Sequence, residues 1–189
     1  KKLAISLLLI ILLILSYFAY GEFDKRSKVK IANKYNNSII NFISGDQLNI
    51  ENEMIKIINA KDKTYSPLAL YFLLDNNIIN SKEKINSLFD ILINETKVDK
   101  EINNLIIYKK ALYNSEFETE NNLLKILNPV INSESIWKSH GLYLMAEYFL
   151  SKNEKQKSKE FFEKILILEN SNPQIKLEAQ KRIQRDFSE

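Results

Sequence analysis

Apolar residues along most of this chain recur at steps of three and four, the spacing that places them on one face of an α-helix. The first stretch, Leu3–Tyr20, differs because it is apolar throughout and carries no charge. As a helix it would rise about 27 Å, close to the thickness of the hydrocarbon core of a bilayer. The pattern therefore predicts a transmembrane anchor over residues 1–21, followed by a water-exposed domain over residues 22–189.

The same apolar run is compatible with a secretory signal peptide, because residues 1 and 2 are both lysine. Cleavage would then fall near Ala19–Gly21. The run is longer than the usual apolar region of a signal peptide, and no clean small-x-small site ends it, so retention as a span is favoured. Basic residues in segment 25–30 favour a cytoplasmic location for the domain, but long domains translocate largely regardless of local charge.

Helices joined by short loops are predicted for the remainder of the chain. The chain has three Gly and three Pro, too few for the turns of a sheet protein. Residues suited to helix starts are Ser66-Pro67, Ser81, Asp99, Ser135 and Asn172-Pro173. The first helix is expected to continue through Ile43, and the others cover about 50–58, 66–76, 81–92, 99–112, 123–127, 135–149, 154–168 and 173–187.

The predicted helices recur in pairs. Helix starts fall near residues 26, 66, 99, 136 and 173, at steps of roughly 33 to 40 residues, which is typical of the tetratricopeptide class of repeats. The expected fold is all-α: one N-terminal transmembrane helix, then a tetratricopeptide-like helical solenoid of about four helix pairs and a C-terminal capping helix. Each pair would bury its apolar face only by stacking on its neighbours.

Packing residues can be assigned on this reading. Small residues let two helices approach closely, and large aromatic residues fill the space between consecutive pairs. Trp137 could also stack on a ligand, but its spacing with Tyr143 and Ala146 favours packing between helices. The predicted repeat-packing residues are Ala69, Phe72, Phe89, Trp137, Ala146, Phe149 and Phe162.

Charge and composition exclude several functions. The net charge is +3, and two of the positive charges are the lysines at residues 1 and 2, so the domain lacks the basic footprint of a nucleic-acid-binding protein. The chain has no cysteine, which excludes disulfides, thiolate metal sites and a cysteine nucleophile.

No residue pattern indicates catalysis. His140 is the single histidine, it has no partners at metal-ligand spacing, and we expect it on the polar side of its helix. The carboxylate pairs Glu51/Glu53 and Glu118/Glu120 are two residues apart, so the members of each pair do not share a helix face. We therefore predict a protein that is not an enzyme and that has no cofactor and no metal.

The C-terminal third carries a resemblance to a known family. The run LLKILNPVINSESIWKSHGLYLMAEYFLSKNEKQKSKEFFEKILILENSNPQIKLEAQKRI has a leucine-rich helix, a Trp followed by an Ala-containing helix, an amphipathic helix and a capping helix. Within it, Ala146, Phe149 and Phe162 fit the repeat pattern, whereas Ile165 stands where a small residue is usual. Together with the N-terminal apolar run, this layout resembles the ancillary SecYEG translocon subunit family of Gram-negative inner membranes.

That resemblance implies a single-pass inner-membrane protein with a periplasmic repeat domain that contacts the SecYEG translocon, periplasmic chaperones or client proteins. The expected function is a non-enzymatic, membrane-anchored protein-interaction scaffold that assists translocation, periplasmic folding or envelope assembly. Exposed residues of the helices near 66–76, 99–113 and 136–150 are the expected contacts. The alternative is a structural subunit of a stable membrane complex, held mainly through its transmembrane helix.

Overall fold

The structure, a computed structural model, describes residues 2–46 and 48–187. In this part of the chain all regular elements are α-helices and no strand occurs, which confirms the all-α prediction. The helices are α1 (Lys2–Ile43), α2 (Ile50–Asn59), α3 (Tyr65–Asp75), α4 (Lys82–Glu95), α5 (Lys100–Asn114), α6 (Glu120–Ile131), α7 (Lys138–Ser151), α8 (Lys155–Ile167) and α9 (Pro173–Asp186).

The predicted transmembrane helix is wrong. Within the described residues, no helix is both long enough and apolar enough to cross a membrane. Although α1 has 42 residues, it passes without a break from the apolar run into a charged segment that includes Glu22, Lys25 and Arg26. Of the two lysines at the start of the chain, Lys1 lies outside the described residues.

The chain divides into two compact units, Lys1–Ile91 and Leu92–Glu189, and the division falls inside α4. In the first unit, the second half of α1 packs against α2 and α3. Tyr35 contacts Tyr65 with ring centroids 5.5 Å apart, and Phe42 meets the edge of Phe72 at 5.2 Å. These aromatic pairs hold α1 to α3.

Two local details in the first unit differ from the sequence prediction. Helix α3 begins one residue before Ser66, and the Asp62 carboxylate accepts hydrogen bonds from the backbone N–H groups of Thr64 and Tyr65. Ser66 is fully buried, and its hydroxyl donates to the carbonyl of Ile57 on α2 over 2.8 Å. Ser66 therefore links two helices instead of capping one.

In the second unit each helix from α5 to α9 packs against the next, and α5 and α9 also contact α7. The start of α7 meets the end of α6, and Ser158 at the start of α8 donates a hydrogen bond to the carbonyl of Ala146 near the end of α7. Consecutive helices are therefore antiparallel, and helices two apart are parallel.

Polar contacts between helices two apart recur at a regular sequence separation in this unit. The paired residues are 33 to 37 positions apart, close to the period read from the sequence. The pairs are Glu101 with Ser135, Glu120 with Lys157, Ser139 with Asn172, and Glu147 with Arg182. Each helix therefore makes polar contacts with the helix two places later, at residues about one repeat period further along the chain.

Two of the predicted helix starts are found with capping hydrogen bonds, at Ser81 and Asn172, whereas Asp99 makes no side-chain capping bond and Ser135 lies three residues before α7. The Asn172 side chain accepts hydrogen bonds from the N–H groups of Gln174 and Ile175 and caps α9, with Pro173 at its first position. Asn153 takes a positive φ of 62° in the turn between α7 and α8. Helix α6, however, does not stop at Pro129 but continues to Ile131, since a proline one turn from the end of a helix removes few of its hydrogen bonds.

Candidate protein-interaction groove

A concave surface of the second unit lies between α6 and α8. Both helices pack against α7, and they leave between them a groove with a volume of about 690 Å³. Its lining is Leu124, Ile131, Asn132, Glu134, Lys138, Leu142, Phe161, Lys164, Ile167, Leu168, Glu169 and Asn170. We call this surface the α6–α8 groove.

Gly141 on α7 brings α6 close to the base of this groove. A Cβ atom at this position would lie 2.9 Å from Cγ2 of Ile131 and 3.4 Å from Cδ2 of Leu127. The first distance is shorter than carbon atoms tolerate, so a larger residue would displace Ile131. Gly141 therefore sets the position of one groove-lining side chain.

One end of the groove is closed by an ion pair. Lys157 at the start of α8 donates to the Glu120 carboxylate at the start of α6 over 2.8 Å, and it also contacts Glu154 at 2.8 Å. These two hydrogen-bonded carboxylates raise the pKa of Lys157. The Lys157 ammonium also lies 5.0 Å from the centre of the Phe149 ring, which fixes its position further.

The other end of the groove is open and charged. Glu134 comes from the connection between α6 and α7, Lys138 is the first residue of α7, and Glu169 follows α8. Among the described residues, the side chains of these three have no hydrogen-bond or ion-pair partner, whereas Lys164 lies 4.3 Å from the centre of the Phe161 ring. Charges at this end are therefore available to a binding partner.

Ile167 is the most exposed apolar residue of the groove. It is the last residue of α8, and 81% of its surface is accessible. A second exposed isoleucine, Ile136, is 64% accessible but does not line the groove. The two residues form a matched pair for testing the groove.

The residues predicted to pack the repeats lie elsewhere. Ala69, Phe89, Ala146, Phe149 and Phe162 are buried, and Phe72 and Trp137 are half-buried. None of the seven lines the groove. We expected the contact surface on the helices near 66–76, 99–113 and 136–150, but the walls of the groove come from α6 and α8, the helices that follow two of these.

The C-terminal helix is held by a charged cluster on α7. Arg182 of α9 binds the Glu147 carboxylate with two hydrogen bonds, of 2.7 and 2.5 Å, and also contacts Asp186 at 3.0 Å. Burial, chiefly, raises the pKa of Glu147, and burial together with the nearby Glu147 charge raises the pKa of Tyr143 to about 12. A bidentate Arg–carboxylate pair fixes orientation as well as contact, so this cluster aligns α9 with α7.

His140 does not lie on a polar face as expected. Its ring packs against Trp137 at 5.0 Å and against Tyr108 of α5 at 5.8 Å, and Trp137 stacks on Tyr108 at 6.0 Å. The Nδ1 atom of His140 is buried and has no hydrogen-bond partner among the described residues, and burial lowers the pKa of this ring. Trp137 thus packs between helices, as its spacing predicts.

The described residues contain no group of three or more His, Asp or Glu side chains placed to hold a metal ion. The carboxylate pairs noted in the sequence are engaged with cations or amides. Glu51 contacts Lys84 at 2.6 Å, Glu53 contacts both Lys34 and Lys56, and Glu120 contacts Lys157. The contacts of Glu51 with Lys84, of Glu53 with Lys34 and of Glu120 with Lys157 connect helices, so these carboxylates are engaged in ion pairs.

Sequence analysis did not identify Gly141 or the groove. The available signal was a glycine inside a helical pattern, which costs about 1 kcal/mol relative to alanine and therefore suggests a packing reason.

Comparison with models of protein families, with curated proteins and with solved structures finds no match for this chain.

Proposed function

We propose that this protein is a non-enzymatic protein-interaction module that binds an apolar segment of a partner protein in the α6–α8 groove. The observation that carries the proposal is the groove itself, in which an apolar surface and the exposed Ile167 adjoin charges that have no partner in the described structure. Protein interfaces commonly combine an apolar centre with a polar rim of this kind.

The groove suits a polypeptide better than a reacting small molecule. Its titratable lining residues are two glutamates and two lysines, distributed over the α6–α7 connection, the start of α7, α8 and the residues after α8. A nucleophile next to a base, which most covalent catalysis requires, is not part of this lining. The aliphatic and aromatic lining residues offer area for burial, which is the main source of affinity in such contacts.

The resemblance noted in the sequence suggests which polypeptides to test first. A partner at the protein-export machinery, such as a translocating client or a periplasmic chaperone, would present apolar segments to the groove. No comparison supports this assignment or the tetratricopeptide class, so both rest on the pattern of apolar and small residues. The alternative of a subunit held through a transmembrane helix has no support in the described residues.

The test compares Ile167→Glu with Ile136→Glu on an array of apolar peptides. Full burial of an isoleucine contributes about 1.5–3 kcal/mol, so Ile167→Glu should weaken groove binding by at least about tenfold. Ile136→Glu introduces the same charge on an exposed surface outside the groove and should bind as the wild-type protein does. If Ile167→Glu retains the peptides that the wild-type protein binds, the groove is not the binding site.

A further inference from the structure

We infer that the segment bound in the α6–α8 groove is an amphipathic α-helix of a partner protein, which lies antiparallel to α6 and α8 and has a basic N-terminal end. This inference rests on the proposed function, because it specifies the partner of the same groove. It follows from the hydrogen-bonding capacity of the walls, the length of the groove and the charges at its open end.

The walls of the groove select a helix over an extended segment. Both walls are α-helices, whose internal N–H and C=O groups are already bonded within each helix. An extended segment would place its own backbone groups beside helix backbones that cannot pair with them, with only side chains such as Asn132 and Asn170 as partners, and an unpaired buried group is costly. A bound helix satisfies its own backbone and needs only side-chain contacts.

The length of the groove fits a short helix. Along α6 the lining runs from Leu124 to Ile131, and along α8 it runs from Phe161 to Leu168, the residue just after the helix. Each of these spans is eight residues, and the seven steps between its ends rise roughly 10 Å, or two helical turns. Two turns accommodate anchors at positions i, i+3 or i+4, and i+7 of a partner helix.

The open end of the groove sets the direction. Because α6 and α8 are parallel, their C-terminal ends lie together at this end, and each carries a partial negative charge. Glu134 and Glu169 add two negative charges there, against the positive charge of Lys138; Lys164 also lines the groove, but its ammonium lies 4.3 Å from the ring centre of Phe161, one turn back along α8. The N-terminal end of a bound helix is partially positive, so this end attracts it, and a lysine in the same turn adds to the attraction.

This direction makes the partner helix antiparallel to both walls. Successive helices from α6 to α8 already alternate in the same way. The partner would lie across the groove from α7 and run in the same direction as α7.

Three synthetic peptides of about 15 residues test the inference, a length at which helices begin to form in water. All three contain Ala, Gln and leucines at i, i+3 and i+7. The first has two lysines in its N-terminal turn, the second has them in its C-terminal turn, and the third repeats the first with a central proline. Binding of each to the full chain is measured by fluorescence anisotropy.

The first peptide should bind at least about tenfold more tightly than the proline peptide, because proline prevents the helix. It should bind about two- to fivefold more tightly than the second peptide, the size expected for a charge at a helix end. Glu134→Gln combined with Glu169→Gln should reduce the difference between the first two peptides to the part that the α6 and α8 helix ends contribute. Ile167→Glu should weaken all binding, whereas Ile136→Glu should not.

Each of the other outcomes would reject one stated part of the inference. Equal binding of the first and proline peptides rejects a helical occupant, and tighter binding of the second peptide rejects the direction. Self-association of the wild-type chain that Ile167→Glu abolishes would identify a second copy as the occupant, which rejects a partner protein. If the peptide array shows groove binding but these three peptides do not discriminate, the helix inference fails alone. If no peptide responds to Ile167→Glu in either experiment, the proposed function fails with it.

Discussion

Replacing Phe162 with alanine tests whether a single ring holds α7, α8 and α9 together. Phe162 lies on α8 and is fully buried in a cluster with Leu142 and Ala146 of α7 and Ala179 of α9. Its ring centroid lies 5.4 Å from that of Tyr143 and 6.1 Å from that of Phe187. The substitution therefore removes contacts with both neighbouring helices at once.

The expected cost is about 4 kcal/mol. Substitution of a buried phenylalanine with alanine typically lowers the free energy of unfolding by about 3–5 kcal/mol, which includes the cavity left behind. The guanidinium of Arg182, 6.0 Å from the ring centre, loses its aromatic contact as well. Because domains are stable by only about 5–15 kcal/mol, the second unit should lose a large share of its stability.

The assay is urea unfolding followed by circular dichroism, with hydrogen exchange to locate the change. Amides of α8 and α9 should lose protection before those of α5. Phe161→Ala is the matched control, because Phe161 is the adjacent residue of α8, lies half-buried in the groove, and should cost only about 1 kcal/mol. A loss below about 1.5 kcal/mol for Phe162→Ala, or equal losses for the two variants, would refute the reasoning.

Two further predictions concern α7. Gly141→Ala gains about 1 kcal/mol of helix propensity but forces a Cβ atom against Ile131, at an overpacking cost of about 1–3 kcal/mol. The free energy of unfolding should therefore fall or stay level, and peptide binding in the groove should weaken. A clear gain in stability with unchanged binding would contradict this. Burial lowers the pKa of His140 in the folded state, so the unfolded chain binds more protons and stability should fall as pH decreases below about 6.5. In unfolding curves measured from about pH 7.5 to pH 5, His140→Phe should reduce the dependence of the free energy of unfolding on pH. An unchanged dependence would count against this prediction.

Comparison with the variant is needed in the pH experiment because a second group titrates with the opposite sign. The raised pKa of Glu147 means that the folded state binds its proton more readily, which favours folding as pH falls. That contribution is common to the wild-type protein and His140→Phe, so the difference between their slopes reports His140, the single histidine of the chain.

Features that depend on neighbouring residues in the sequence were predictable. Asn172-Pro173 starts α9 and Asn153 forms the turn after α7, because capping and turn preferences act over a few residues. Burial of Ala146 and Phe162 also follows from the spacing of apolar positions.

Features that depend on the placement of several helices were not predictable. The contact of Gly141 with Ile131 requires the register of α6 against α7, and the groove requires that of α6, α7 and α8 together. The environment of His140 on α7 similarly depends on Tyr108, which belongs to α5, two helices earlier in the chain. The continuation of the first helix through Ile43 was predicted correctly, whereas the transmembrane prediction failed because no helix of the described residues is long and apolar enough to cross a membrane.

The recurrence of contacts at 33 to 37 residues also has a consequence for the order in which the second unit is made. From α5 onward, the main packing partners of each helix are its nearest one or two neighbours along the chain. As the ribosome extends the chain, α7 can dock as soon as it emerges, and α8 and α9 can follow in turn. Contacts between helices that are neighbours along the chain also favour fast folding. Little apolar surface therefore stays exposed while later residues are being synthesised.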